Sequence, residues 1–588
     1  MPTGAAARPD SDGFVTTISS RIGGPLGRHA GRASSWFSPV RISLLVATLA
    51  WIIGAVQKLP CRTMLAGHYP DTYKRLCYSD IPLLYTSRGL ADGNIPYLDH
   101  GNYQSLEYPV LTGWLLELQR RITALLGAPV GPGLTEQQAI DAARLFFQVN
   151  VVVLGVLFLV AVWAQARSYP AVTGVQRPYG VDQHRSWDAM MLAISPCVML
   201  TGFINWDMLP VALTALGFMF WARSRTTLAG VMFGLGMAAK LYPVLLLGPL
   251  LLLCLRGGRM RDFGRMLIGF AIAWLVPNLP VMILAPDQWL AFWSFNSDRG
   301  GDLGSIWYVL SLAGHEVPHL NLVNALILIA LCAGIGWLII SARRRPRFGQ
   351  VGYLVIAAFL ITNKVYSPQY VLWLLPLLIL ARPRWREWWI FTFGELVYFL
   401  AIWGHLDQTL TPGNGGPDKL YWLAVIVRIA CEVWVGIVII RDILDPDRRD
   451  PLRQRGASSS HSKGPEKSHS KGPELSHTKG PESVEGLGSR GRGAGDRVPV
   501  LRQAQDPGPG AQDPGPGAQD PGPGTQDLGP GAQESGRGAQ DSGRASTRPV
   551  VYGPVPDDPG GGVLHGAPDA GWVLRLRRWI DTGATGPR

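Results

Sequence analysis

LNLVNALILIALCAGIGWLIISARRRPR, residues 320–347, decides the fold class: an uncharged apolar run from Leu320 to Ser341, then Arg343, Arg344, Arg345 and Arg347. A helix needs about 20 apolar residues to cross the hydrocarbon core of a bilayer. A burst of Arg at its end marks the cytoplasmic side. The same pattern recurs near 41–57, 144–165, 188–204, 208–222, 227–240, 243–255, 265–284, 348–362, 369–381, 386–403 and 420–440. That makes twelve candidate spans, or ten to thirteen if 227–255 is divided differently.

The basic residues test this arrangement. Arg28, Arg32 and Arg41 lie on one side, with Arg167, Arg177 and Arg185, Arg223 and Arg225, and Arg256, Arg259, Arg261 and Arg265. Arg382, Arg384 and Arg386, and then Arg441, Arg448 and Arg449, continue the series. The opposite short loops hold one basic residue or none, so the alternation predicts both termini in the cytoplasm. Residues 58–143 then form a long first external loop, too long to obey the charge rule. Its apolar stretch Tyr108–Leu126 reads as an amphipathic helix along the membrane surface. Cys61 and Cys77 share that loop, on the oxidising side, and a disulfide between them is one reading.

Composition agrees with this reading and separates the two ends. The chain of 588 residues is 47% hydrophobic and 16% charged, where soluble domains carry about 25% charged residues. An ordinary soluble enzyme and a single-pass anchor are both excluded. The net charge of +12 sits in short clusters between apolar runs, which orient a membrane protein and do not form a nucleic-acid stripe. The six Cys form no CxxC pair, so neither a zinc site nor a redox motif is expected. Residues 1–40 are polar, and no small-residue cleavage site follows the first apolar run, so no cleavable leader is expected. Residues 443–588 repeat Ser-His-Ser-Lys-Gly-Pro-Glu and then Ala-Gln-Asp-Pro-Gly-Pro-Gly. That composition cannot bury a core, and it predicts a disordered cytoplasmic tail free to meet unknown partners. Within it, Trp572-Val-Leu-Arg-Leu-Arg-Arg-Trp579 reads either as a segment for the anionic leaflet or as a solvated fragment.

The expected organisation is therefore a cytoplasmic segment 1–40, an all-α polytopic membrane domain 41–442 and the tail. Chemistry is expected where charge meets the membrane. Asp80 lies in the external loop, within Tyr78-Ser-Asp-Ile-Pro, and reads both as a helix N-cap and as a carboxyl with a raised pKa suited to a general base. The outer turns carry polar clusters edged with aromatics: Asn205-Trp206-Asp207, Lys240-Leu-Tyr-Pro243, Asn296 to Asp302 with Arg299, and Asn363-Lys364-Val-Tyr366-Ser-Pro-Gln369. Snorkelling Lys and interfacial Trp explain each one singly. Their concentration on one face suggests a site at the outer boundary, with Lys240, Lys364 and Arg299 placed to meet a lipid-linked phosphate. No P-loop, dinucleotide-binding glycine pattern or HExxH is present. A soluble nucleotide donor would be hard to supply at such a face.

Ser79-Asp80-Ile-Pro-Leu-Leu-Tyr85, Gly93-Asn-Ile-Pro-Tyr97, Glu107-Tyr-Pro109, Ala-Ala-Lys240-Leu-Tyr-Pro243 and Asn363-Lys-Val-Tyr-Ser-Pro-Gln-Tyr370 together resemble motifs of glycosyltransferase family 87. These are the actinobacterial polyprenol-phosphate-mannose-dependent α-1,2-mannosyltransferases of the plasma membrane. The resemblance covers roughly 41–440. It implies a GT-C fold and an inverting transfer of mannose from polyprenyl-phosphate-mannose to an envelope glycolipid or glycan, with Asp80 as general base and no metal or cofactor. Position and charge nominate Lys240, Lys364 and Arg299 for the donor phosphate, and Tyr85, Glu107, Asp207, Asp302, Tyr366 and Gln369 for the acceptor.

Two other readings stay open: a lipid or solute transporter or flippase, and a non-catalytic envelope scaffold. A transporter calls for midspan charges and an internal repeat. Only Glu395, Arg428 and Glu432 fall midspan, and the i, i+4 spacing of the last two suits a local ion pair.

Overall fold

The computed structural model describes residues 37–62, 71–99, 103–169, 183–413, 415–452 and 560–581, together with Thr17. The Ser-His and Gln-Asp-Pro repeats, and most of residues 1–40, lie outside the described residues. Every regular element among the described residues is helical.

Each of the twelve apolar stretches forms a helix. In chain order the elements used below are α1 (Pro39–Lys58), α2 (Asp80–Ser87), α3 (Val110–Leu125), α4 (Glu136–Ala166), α5 (Trp187–Thr201), α6 (Met208–Ala222), α7 (Thr226–Ala239), α8 (Tyr242–Arg256), α9 (Met260–Leu284), α10 (Pro286–Asp298), α11 (Leu320–Ser341), α12 (Phe348–Thr362), α13 (Pro368–Ala381), α14 (Trp385–Leu406), α15 (Lys419–Leu444) and α16 (Gly571–Asp581).

The expectation of twelve spans divides by helix length. Among the described residues, six helices are long and apolar enough to cross a membrane: α1, α4, α9, α11, α14 and α15. The others, α5, α6, α7, α8, α12 and α13, have 10–17 residues, and at 1.5 Å per residue they fall short of the roughly 30 Å core. Sequence hydropathy marks apolar surface without saying what covers it. Here much of it is covered by protein: α12 and α13 are buried almost throughout, whereas α11 buries only Ile339 and shows Leu322, Leu326, Ile329 and Trp337 outward. Together the apolar helices give a multi-pass membrane architecture.

Local chemistry sets the ends of these helices. Ser38 caps α1, with Pro39 at the first position. Thr135 and Gln138 form a capping box on α4. Asp418 caps α15 by accepting the Tyr421 N–H. Close packing uses small residues. On α7, Gly230 and Gly234 lie against α9, where an added Cβ would stand 1.9 Å from the Met266 carbonyl and 2.3 Å from that of Phe270.

The connection between α1 and α4 is pinned in three places. Cys61 and Cys77 form a disulfide with Cα atoms 5.6 Å apart. Gln57 Nε2 donates to the Leu76 carbonyl. Helix α3 forms over the stretch expected to be amphipathic, but it sinks Leu116 and Gln119 into the bundle. Its Glu117 is spoken for by Arg120 and Arg121.

Candidate active site

The turn Phe203–Asp207 is the anchor of the site. Trp206 is buried, and its indole N–H reaches Asn150 Oδ1 at 2.7 Å and Gln119 Oε1 at 2.9 Å. This fixes the start of α6 and presents Asp207. The same turn holds the start of α2: Ser79 Oγ donates to the Phe203 carbonyl at 2.7 Å, and the Asp80 N–H donates to the Ile204 carbonyl at 2.7 Å. Ser79, not Asp80, is the cap of α2, since its hydroxyl accepts the Ile81 N–H. That corrects the reading of Asp80 as an N-cap and leaves its carboxylate available. Oδ1 accepts a hydrogen bond from the Tyr78 hydroxyl at 2.7 Å.

Lys240 ends α7 in an extended conformation, directly after Ala239, whose carbonyl accepts from Thr112 Oγ1 on α3. Its ammonium stands 3.0 Å from Asp207 Oδ1, and the Trp373 indole N–H donates to the other Asp207 oxygen at 3.2 Å. Three aromatic rings surround the cation, Tyr108 at 4.9 Å, Tyr370 at 5.5 Å and Trp373 at 5.7 Å. Four helices thus deliver their ends to one cluster.

The electrostatics of this cluster follow from burial. Desolvation pushes the Asp80 carboxyl up to about 6, against the Tyr78 hydrogen bond and the neighbouring Lys240 charge, while Asp207 and Glu107 add to the rise. Burial opposes the Lys240 charge, but Asp207, Tyr370 and Asp80 together more than offset it and hold Lys240 above its ordinary range. Tyr108 is raised well above the usual phenol range by burial and by the Asp80 and Asp207 carboxylates, so it stays a neutral donor. A carboxyl poised near neutral pH beside a fixed ammonium can accept a proton at one point while positive charge acts at another.

The remaining nominated residues divide. Glu107 lies at the rim, paired with Arg88 at 2.8 Å. Arg299 and Asp302 form an ion pair, and the Asp302 N–H donates to the Lys364 carbonyl at 2.8 Å. The Lys364 ammonium donates to the Asn296 and Ser297 carbonyls and to Asn321 Oδ1, so in this state it ties α10 to the start of α11. Tyr85 is elsewhere, stacked on Phe146 at 4.5 Å in the core. The Tyr366 hydroxyl bonds Glu432, and its carbonyl accepts from Arg428. Gln369 is buried one position before the Tyr370 ring. Arg428 takes Glu395 on α14 as its bidentate partner, with Glu432 at 3.7 Å, so the ion pair joins two helices and is not simply local.

The aromatic wall around Lys240 was not singled out from sequence, although Tyr108 and Tyr370 stand in the quoted motifs; Trp373, inside an apolar run, carries no such signal. Beside Tyr108 opens a shallow cleft lined among others by Tyr97, Leu241, Trp274, Trp289 and Trp293.

A search of curated proteins finds no match to the chain. Residues 111–362 match the model of glycosyltransferase family 87, a stretch that includes Asp207, Lys240, Arg299 and Asp302 but begins after Asp80. That segment, and with it the centre of the helical bundle, is similar to glycosyltransferase family 87.

Proposed function

We propose that this membrane glycosyltransferase moves mannose from polyprenyl-phosphate-mannose to an envelope glycolipid or glycan at the outer face of the plasma membrane. Asp80 takes the proton of the acceptor hydroxyl as its oxygen attacks C1 of the sugar. The C1–O bond to phosphate breaks on the opposite side, and polyprenyl phosphate leaves with the electron pair, so the anomeric centre inverts. Lys240, held by Asp207, faces the charge that grows on the departing phosphate, with Arg299 and Lys364 at the edge of the same region. The aromatic cleft beside Tyr108 suits the isoprenoid part of a lipid-borne donor, and no metal is called for.

The observation that carries this reading is the half-buried, desolvated Asp80 carboxyl within reach of the charges of the Lys240–Asp207 pair, with its pKa at about 6. The test is transfer of radiolabelled mannose from polyprenyl-phosphate-mannose to an envelope lipid extract, using membranes with equal amounts of wild type or Asp80→Asn. Transfer by the wild type alone supports the reading. Equal transfer by both removes Asp80 from the chemistry, and failure of the wild type with this donor removes mannose transfer from this donor.

A further inference from the structure

The far end of the chain returns to the helical bundle at the end opposite Asp80 and Lys240. Helices α6 and α8 begin beside Asp207 and Tyr242 and finish at Ala222 and Arg256, and residues 560–581 meet those finishing ends. Gly562 (φ +54°) lies against the Trp221 carbonyl with no room for a Cβ. The Ala570 N–H donates to the Arg256 carbonyl at 2.7 Å. Asp569 stands among three guanidinium groups, those of Arg256 at 3.0 Å, Arg577 at 3.3 Å and Arg345 at 3.8 Å. Arg256 and Arg577 also donate to carbonyls that end α11, at Ile339, Ala342 and Arg343. Cations are favoured at such a helix C-terminus.

These contacts fix both the level and the orientation of α16. Arg577 bonds the two residues that follow the last turn of the spanning helix α11, so α16 sits where the hydrocarbon core gives way to headgroups. Val573 and Arg577 face the bundle. Trp572, Leu576, Trp579 and Ile580 follow the i, i+4, i+7, i+8 spacing of one stripe, and Trp579 is 59% exposed. Arg575 and Arg578 flank the stripe and are exposed as well. An outward stripe of Trp and Ile bordered by Arg, at headgroup level, is complementary to an anionic bilayer surface.

We propose that α16 is a membrane-surface docking element, clamped to the bundle through Asp569 and Arg577 and seated on anionic phospholipid headgroups through Trp572, Arg575, Arg578, Trp579 and Ile580. The test places the full-length protein in nanodiscs of phosphatidylcholine alone or mixed equally with phosphatidylglycerol, and follows hydrogen–deuterium exchange of the 571–581 amides. Exchange is expected to slow by about tenfold or more in the anionic discs, and high salt is expected to reverse much of the effect. The double variant Trp572→Ala/Trp579→Ala, which leaves the clamp intact, is expected to lose the lipid dependence while amides of α6 exchange as in the wild type. Equal exchange of wild-type α16 in the two bilayers overturns the proposal, as does a lipid dependence that survives the double variant.

Discussion

In the proposed reaction, the role of Asp80 as base comes at a cost in stability. Its folded-state carboxyl, at about 6, lies above its ordinary value of 3.8. A raised acid is penalised in its ionised form, so its contribution to stability is fully present below pH 3.8, is lost as pH rises towards about 6 and stays lost above that. The side chain is nevertheless useful as a base only when ionised. Activity is therefore expected to fall on the acid side of about pH 6, read as a pH profile of transfer in intact membranes. Asp80→Asn is expected to lose about 10²–10⁴-fold in rate while melting no lower than wild type at pH 7.5, because the desolvated charge is gone. The Lys240–Asp207 pair behaves differently. Removing either partner alone leaves a buried charge uncompensated, at a cost of about 3–5 kcal/mol. Asp207→Asn and Lys240→Met are each expected to melt well below wild type. Asp207→Leu/Lys240→Met is expected to recover much of that loss without recovering transfer, which separates stability from charge placement. Sequence could nominate these three residues because charge at a span end is rare and conspicuous. It could not pair them, since Asp80 and Asp207 meet only through the Phe203–Asp207 turn, a contact between distant parts of the chain.

At the scale of elements, hydropathy located α5 to α8 to within a few residues but did not give their individual lengths. Apolar surface buried against protein reads the same as apolar surface facing lipid. What distinguishes them is backbone approach, and here glycine is informative. Gly230 and Gly234 are one helical turn apart on α7, and a Cβ at either would collide with main-chain atoms of α9, which cannot rotate away. That is the small-residue packing of membrane helices, in which close approach supplies the contact. Gly230→Leu is expected to force α7 from α9 and to displace Lys240 at the end of α7. The measurable outcome is a lower melting temperature together with lost transfer. Gly248→Ala, where a Cβ meets nothing within 4 Å, is expected to change neither. Helix ends carry more local signals, only some of them taken up in the sequence reading: Ser-Pro before α1 and Thr-x-x-Gln before α4 act as caps, and the Arg clusters after α8 and α11 act as anchors.

At the scale of the whole molecule, the composition of residues 443–588 reads as one low-complexity extension, but its described end, 560–581, packs on the bundle. The signal for that docking is weak in sequence because Asp569 and Arg577 look like ordinary surface charges until Arg256 and Arg345 are placed beside them. Both of these arginines are essentially buried, at 0% and 1% exposure, and buried charges need partners. Asp569 is the carboxylate that serves both. Helix α11 buries little else than Ile339, so the bonds at its C-terminus carry much of its attachment to α8. Shortening the chain after Leu452 is therefore expected to lower the melting temperature and to make the end of α11 near Ala342 sensitive to protease, although the site near Asp80 is untouched. Asp569→Ala is expected to do the same to a smaller degree, since the segment can still contact through Val573 and Leu564. Deleting 464–550 removes most of the repeats but keeps 560–581 on a shorter tether, and it is expected to preserve both stability and transfer. If the 464–550 deletion proves as damaging as truncation after Leu452, the repeats themselves contribute to stability and the clamp does not account for it.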